Sequence, residues 1–481
     1  MKYRGAGVHF SIPLLLFVLF NALMTDGQNV FIKGLAKGAE GKTIIVKSYS
    51  DYFTLSEQFT AKSVVDSSGF FEIKCSVPST TLAVIHIDYY SGEMFLEQNK
   101  SYSIEIKNLV FNDRFDKVNY NLSPFNCYIK VISDEKEELN NLTQKLNVMH
   151  NTFIKDNIYL LNTRNILIKV DTFLMCVTDT FANTRHVFFN DYLNYRIASL
   201  KLLTNYSDPY KLFIDYLYQK PILYENIEYM SFLNSYFENY FQNLTNPVLI
   251  SDLYVPVNKN QSFPELIDVL GKDSLFINEK LREIIMLSTL NTLNSSNYFG
   301  KKNIISILKQ VSVSSKFEKH RQMANSMYIF LTRFEKGMPA PDFSLKSVDN
   351  STISLSDFRG KFVYLNFYAS WCLNCRDEME LMRKFRQNFD NDVVFISISA
   401  DREFMNTYHF VHDHNYNWLF LHFNSDYDLL ESYGVFAYPD FVLIDKNGNF
   451  IQCPAPKPSE NIELFLSNLI KTDKDIPGEK K

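Results

Sequence analysis

The chain has 481 residues, 46% of them hydrophobic and 21% charged, with a formal net charge of −5. That length calls for several domains, and the apolar fraction is enough to build a packed core in each. The slightly acidic balance leaves no basic footprint, so nucleic acid is not an expected partner.

The first residues read as a targeting segment. Lys2 and Arg4 form a positive start, and residues 10–24 form an apolar run shorter than the ~20 residues that span a bilayer. A signal peptide over residues 1–28, cut near residues 25–29, is therefore expected in place of an anchor. No cysteine precedes Cys75, so a lipid-modified cysteine after the leader is not expected. No later stretch is long and apolar enough to cross a membrane. The expected product is exported to the periplasm or cell envelope of a bacterium without stable membrane insertion and is not a lipoprotein.

From residue 29 to 115 short strands follow one another: VFIKGLA, TIIVKSYS, QFTAKSVVD, FFEIKCSV, TLAVIHID, EMFLE and SYSIEI. Turn residues such as Ser67-Ser68-Gly69 separate several of them, and no helical period intervenes, which predicts an all-β sandwich-like domain. Phe71, Ile73, Cys75 and Val77 alternate onto one strand face, so Cys75 is expected to be buried.

The period becomes helical from 130 to 335. Leu139, Leu142, Leu146, Met149 and Phe153 recur at steps of three and four, with Asp134 and Glu137 as the expected cap pair. HVFFNDYLNYRIASLKLL, NIEYMSFLNSYFENYF and NEKLREIIMLSTLNTL continue the pattern. Their Tyr and Phe stripes read as helix-packing core. Cys176, in FLMCV, is expected to be buried; the spacing leaves Cys127 and Cys453 undecided.

From 336 to 472 strands alternate with helices. KFVYLNFYA and DVVFISISA are near-continuous apolar runs suited to strands buried on both faces. EFMNTYHFVHDHN reads as a helix, NWLFLHF as a strand, and DYDLLESYG as a short helix ending at Gly434. FVLID and NFIQC form a hairpin about Lys446-Asn447-Gly448, and SENIELFLSNLIK is a closing helix. This predicts a small α/β domain with a mixed sheet flanked by helices; residues 473–481 are expected to be a flexible tail.

Two of the six cysteines, Cys372 and Cys375, lie one helical turn apart where the first buried strand gives way to a helix. A sulfur at a helix start meets unpaired N–H groups and the positive end of the helix dipole, which favours the thiolate. Cys372 can then attack a disulfide, and Cys375 can resolve the mixed disulfide. No cofactor is implied. A metal site needs two more ligands; Cys453 and the His409, His412 and His414 group lie on other elements, so no metal is expected.

The segments GMPAPDFSL, ISLSDFRGKFVYLNFYASWCLNCRDEMELM and YGVFAYPDFVLIDKNG resemble the TlpA/ResA-like branch of the thioredoxin-fold proteins, which are extracytoplasmic thiol-disulfide oxidoreductases of bacteria. The resemblance covers about residues 336–472. A strand-rich domain followed by helices precedes this module in exported relatives as well. By this resemblance Cys372 is the nucleophile, Cys375 the resolving thiol and Trp371 the aromatic shield. Pro439 is the proline held in cis, exposing the Tyr438 backbone to an extended substrate. Asn366 stands where thioredoxins carry a buried acid, which leaves Glu378 as the proton-handling candidate. Asn374, Tyr368 and Glu380 depart from the family's usual Pro, Trp and Pro. The implied partners are protein thiols and disulfides and a membrane-bound thiol donor of electrons, and a reductant or isomerase role is expected. Two alternatives are a peroxiredoxin-like thiol peroxidase, which shares the APDF and LSDFRGK opening, and a non-catalytic envelope binding protein in which residues 29–335 do the work.

Overall fold

The computed structural model describes residues 28–111 and 125–475. The charged and apolar parts of the expected leader, and residues 476–481 of the expected tail, lie outside the described residues. Nine strands come first among the described residues: β1 (Gln28–Leu35), β2 (Thr43–Tyr49), β3 (Glu57–Val64), β4 (Phe70–Val77), β5 (Thr81–Ile87), β6 (Tyr90–Leu96), β7 (Ser101–Lys107), β8 (Phe125–Asn126) and β9 (Tyr128–Ile132). They form two sheets, ordered β4-β1-β7-β9 and β3-β2-β5-β6-β8. Val30, Ile32, Phe71 and Ile73 of the first meet Ile44, Val46, Ala83 and Ile85 of the second in one core. The strict alternation of β4 puts Cys75 inside, as its spacing predicts. β9 pairs antiparallel with β7 and ends within the stretch read from periodicity as helical. Gly34 of β1 lies opposite Phe71 and Ile104, and the Phe71 ring occupies the space where a Cβ would go.

Nine helices follow among the described residues: α1 (Leu139–Asn157), α2 (Ile166–Phe181), α3 (Val187–Leu203), α4 (Pro209–Tyr216), α5 (Ile227–Phe237), α6 (Phe263–Leu270), α7 (Glu279–Asn294), α8 (Lys301–Ser314) and α9 (Glu318–Thr332). The aromatic stripes of α4 and α5 pack with α7 and α8 into one large core. Two expectations need correction. The α1 cap is Glu138, whose carboxylate accepts the Asn141 N–H at 2.7 Å, not the Asp134 and Glu137 pair. Its buried stripe starts at Leu139, so the capping position is the residue just before it. Cys176 is exposed: α2 buries Ile166, Val170, Val177 and Phe181, and position 176 sits about 100° round the helix from Val177. Within this core His320 is fully buried, its Nδ1 3.0 Å from a Glu283 oxygen and its Nε2 2.7 Å from the Tyr224 hydroxyl. These bonds tie α9 to α7 and to the loop before α5.

The last third carries β10 (Ser344–Ser347), β11 (Thr352–Ser354), β12 (Phe362–Tyr368), α10 (Leu373–Phe385), β13 (Val393–Ser399), α11 (Phe404–Asp413), β14 (Leu419–His422), α12 (Tyr427–Ser432), β15 (Asp440–Ile444), β16 (Phe450–Gln452) and α13 (Ile462–Asp475). Helix α13 runs on into the stretch expected to be a flexible tail. The sheet order is β11-β10-β14-β13-β12-β15-β16, with β12 parallel to β13 and antiparallel to β15. Every residue of β12 is buried, as a central strand covered on both faces requires. Val363, Leu365 and Phe367 face a core with Tyr433 and Val442. Tyr364, with Phe362 at the strand's start, meets Met382 of α10 and Leu466 of α13 on the other side. The all-β, helical and α/β parts are all present as expected.

The sandwich rests on the α/β part. Lys47 of β2 bonds Asp428 of α12 at 2.6 Å, and Tyr427 packs against the sandwich core. Burial pulls the Lys47 ammonium down, but Asp428 and Glu57 outweigh it and hold it above its ordinary value. No helix among the described residues is long and apolar enough to cross a membrane.

Two consequences for stability are measurable. Gly34→Ala should cost about 1–3 kcal/mol by forcing a methyl into the Phe71 ring. Both tryptophans, Trp371 and Trp418, lie outside the sandwich, so the loss should appear in a urea transition followed by far-UV circular dichroism more than by tryptophan fluorescence. Asp440, opposite Phe367 on β12, has its carboxyl pushed up to about 6, chiefly by burial, against the pull of the Phe441 N–H and Lys457. An acid raised on folding favours the folded state when protonated and opposes it when ionised. Asp440→Asn should therefore add about 1–2 kcal/mol of stability near pH 8. The gain should shrink as pH falls through about 6 and vanish below ~4, where the unfolded chain also protonates.

Candidate redox site

β12 ends at Tyr368, and the Ala400 N–H bonds its carbonyl at 2.8 Å. The chain then turns: the Cys372 N–H bonds the Ala369 carbonyl at 3.0 Å, and α10 begins at Leu373. Cys372 is the N-cap of α10, with extended backbone (φ −84°, ψ 108°), and its Sγ accepts the Cys375 N–H at 3.1 Å. An N-cap is where free N–H groups need an acceptor; here a sulfur fills that place. Cys375, one turn in, has no exposed surface, whereas Cys372 is half-buried and Leu373 between them is 66% exposed. The two sulfurs form a disulfide with Cα atoms 5.3 Å apart. Cys75, Cys127, Cys176 and Cys453 are free. Burial pushes the Cys127 thiol up to about 11 and the Cys453 thiol up to about 12.

The Tyr438 ring meets Trp371 edge-on at 6.2 Å, and both Tyr438 and Cys372 pack on the cluster around Tyr368 and Phe410. The Tyr438–Pro439 peptide is cis, as the resemblance implies, and so is Cys453–Pro454, which no motif announces. Because Asp440 pairs with Phe367, Pro439 comes next to the end of β12, beside the turn that carries Cys372. The structure thus brings Trp371, Cys372, Cys375, Tyr438 and Pro439 to one end of the central strands.

Asn366 is 1% exposed below this turn. Its Oδ1 accepts from the Ser397 hydroxyl, which in turn accepts the Trp418 Nε1–H at 2.8 Å. That chain carries no charge. The two Glu378 oxygens accept the Ser459 N–H at 2.9 Å and the Ser459 hydroxyl at 2.6 Å. Glu380 pairs with Arg383 and accepts the Tyr416 hydroxyl at 2.9 Å. Asn374 is exposed and Tyr368 fully buried.

Asp401 stands outside every motif of the sequence. It follows β13, is 2% exposed, and bonds Ser370 in the turn before Cys372. The only local signal was an acid directly after a buried strand, a position the periodicity of β13 reads as loop. Among the described residues no three His, Cys, Asp or Glu side chains are grouped to hold a metal. His414 Nδ1 lies 2.9 Å from the Phe410 carbonyl, and His412 packs on Tyr408.

The AhpC/TSA family model matches residues 337–452, the segment that contains this site. The chain is 30% identical over 139 residues to the thiol-disulfide oxidoreductase ResA of Bacillus thuringiensis, spanning 28% of this chain and 80% of that protein. With ResA of Bacillus subtilis it shares 26% identity over 156 residues, 32% of this chain and 84% of the relative. Among solved structures, the thioredoxin domain of a thiol-disulfide oxidoreductase from Bacteroides vulgatus is 24% identical, with a TM-score of 0.26 over 28% of this chain and 96% of that one. Through its last third, with its mixed sheet and the segment shared with these relatives, the chain belongs to the ResA-like thiol-disulfide oxidoreductases of the thioredoxin fold and is an oxidoreductase.

Proposed function

We propose that the chain is an extracytoplasmic thiol-disulfide oxidoreductase that exchanges disulfides through Cys372 and Cys375, acting on protein substrates as a reductant or isomerase. One observation carries this reading: a half-buried Cys372 sulfur caps a helix and takes the Cys375 N–H, while Cys375 is sealed behind it. The N–H and the helix dipole stabilise a thiolate at Cys372, and the exposure difference makes it the sulfur that a substrate meets first.

In the reduced protein the Cys372 thiolate attacks a substrate disulfide. A bond forms between Cys372 Sγ and one substrate sulfur, and the other substrate sulfur leaves as a thiolate that takes up a proton. Cys375, deprotonated, then attacks Cys372 Sγ and releases the second substrate thiol. The chain is left with the disulfide seen here, two electrons having passed to the substrate. A donor dithiol, which we place in the membrane, restores the pair. Trp371, Tyr438 and Pro439 are assigned to substrate binding: the Tyr438 ring abuts Trp371 at a strand end, where an extended peptide can pair with backbone. Glu378 is assigned to proton handling for Cys375 by its place one helical turn further on, and the Ser459 bonds orient its carboxylate. The envelope location rests on the charged and apolar start of the sequence and on the resemblance to exported relatives.

The thiol peroxidase reading is not favoured: a peroxidatic cysteine sits in a Pro-x-x-x-Thr-x-x-Cys arrangement, and the eight residues before Cys372, YLNFYASW, hold neither Pro nor Thr. Cys372→Ser should lower reduction of a protein disulfide such as insulin by about a hundredfold or more, and an active Cys372→Ser protein would sink the proposal. Cys375→Ala should keep the attack but stall it, accumulating mixed disulfides at Cys372 that reducing agent releases and non-reducing gels display.

A further inference from the structure

The turn that presents Cys372 has little of its own to hold it. After the Ala400 to Tyr368 bond the sheet pairing of β12 stops, and one bond, from the Cys372 N–H to the Ala369 carbonyl, closes the turn. What grips the turn from outside is Asp401. One of its oxygens accepts the Ser370 N–H at 3.0 Å and the Ser370 hydroxyl at 2.8 Å. The other accepts the same N–H at 3.1 Å and the Ser399 hydroxyl at 2.7 Å. All of these partners are donors.

The grip itself is anchored. The Asp401 N–H donates to Ser399 Oγ at 3.1 Å, and its carbonyl lies 2.6 Å from His422 Nε2 on β14. His422 Nδ1 accepts the Asn424 N–H at 3.1 Å, which leaves Nε2 as the protonated nitrogen that donates to Asp401. Burial pulls His422 below its ordinary value, in keeping with a neutral ring. One residue on, the Arg402 guanidinium lies 5.4 Å from the Tyr89 ring of the sandwich. The loop that holds Ser370 is therefore pinned by the ends of β13 and β14 and touched by the N-terminal sheets.

We propose that Asp401 is the positioning residue of the redox pair: through Ser370 it holds the turn so that Cys372 stands at the start of α10 in line for attack. The proposal rests on the thiol-exchange reading above. A buried carboxylate bonded to a segment 31 residues away in the chain resists loosening, because freeing Ser370 strips it of partners that water cannot replace. Misplacing a nucleophile by about 1 Å costs up to about a hundredfold in rate, so a turn held at one point by one residue is a strong lever on kcat.

The test measures kcat and KM for a disulfide substrate with the full chain. Asp401→Asn removes the charge and turns one acceptor into a donor, and should lower kcat about tenfold with KM within about twofold of the parent. Ser370→Ala deletes one donor and should lower kcat about threefold in the same way. Since both substitutions act on one contact, the double variant should be no slower than Asp401→Asn alone. Unchanged kcat in Asp401→Asn, a loss carried by KM, or losses that multiply in the double variant would each overturn the proposal. If Asp401→Asn loses its native circular dichroism, Ser370→Ala decides: a kcat equal to the parent's overturns it. Cys372→Ser, run alongside, separates the two claims, since its inactivity upholds thiol exchange whatever the Asp401 variants do.

Discussion

The redox site depends on one strand. β12 is buried along its whole length, between parallel β13 and antiparallel β15, and it has no freedom to shift register. Because the strand is held, its end is held, and the chain leaves it with a single short turn before α10. That geometry puts a sulfur where the helix needs an acceptor, and it puts Pro439, just before the neighbouring strand β15, alongside. The electrostatic character of Cys372 is thus a consequence of packing two layers away from it.

The polar groups around this strand are arranged to keep charge off its face towards α10 and to place it at its tip. Asn366 and Ser397 form a neutral chain ending on the Trp418 ring nitrogen. Asp401, by contrast, is buried at the strand ends with every carboxylate contact to a donor. The helical region also pairs its buried polar groups, with the His320, Glu283 and Tyr224 contacts placed inside its core. Between the sandwich and the α/β part the joint is charged, with Lys47 buried against Asp428 and Glu57. A joint of that kind favours one relative orientation, since a shift would take Asp428 from a buried ammonium and leave it only Glu57 of its own sheet.

Much of this was legible locally. All seven strands read from alternation in the N-terminal part are present, and the stripe from Leu139 to Met149 faces a core. The strand, turn and helix order of the last third follows the apolar runs closely. The misses are equally instructive. Asp134 and Glu137 satisfy a capping pattern, yet the helix starts where its apolar stripe starts, and Glu138 caps it. Cys176 sits in an apolar stretch, yet hydrophobicity alone does not say which side of α2 faces the core, and one residue of offset exposes it. β9 is too short and too close to polar residues to announce itself, and it forms because β7 offers an edge.

By itself the sequence determined the cysteine pair at a strand-to-helix junction, the aromatic before it, the proline that follows Tyr438, and the three-part order of β, α and α/β. These are properties of neighbours along the chain, where side-chain period and turn chemistry act within a few residues. Only the tertiary structure decided that Ser370 is gripped by Asp401, 31 residues on, that Glu378 bonds Ser459, 81 residues on, and that Lys47 reaches Asp428 across 381 residues. Each of those contacts joins polar groups whose spacing carries no period. Which polar groups meet is settled by how the sheets and helices pack, and by the high cost of burying a charge or a donor without a partner.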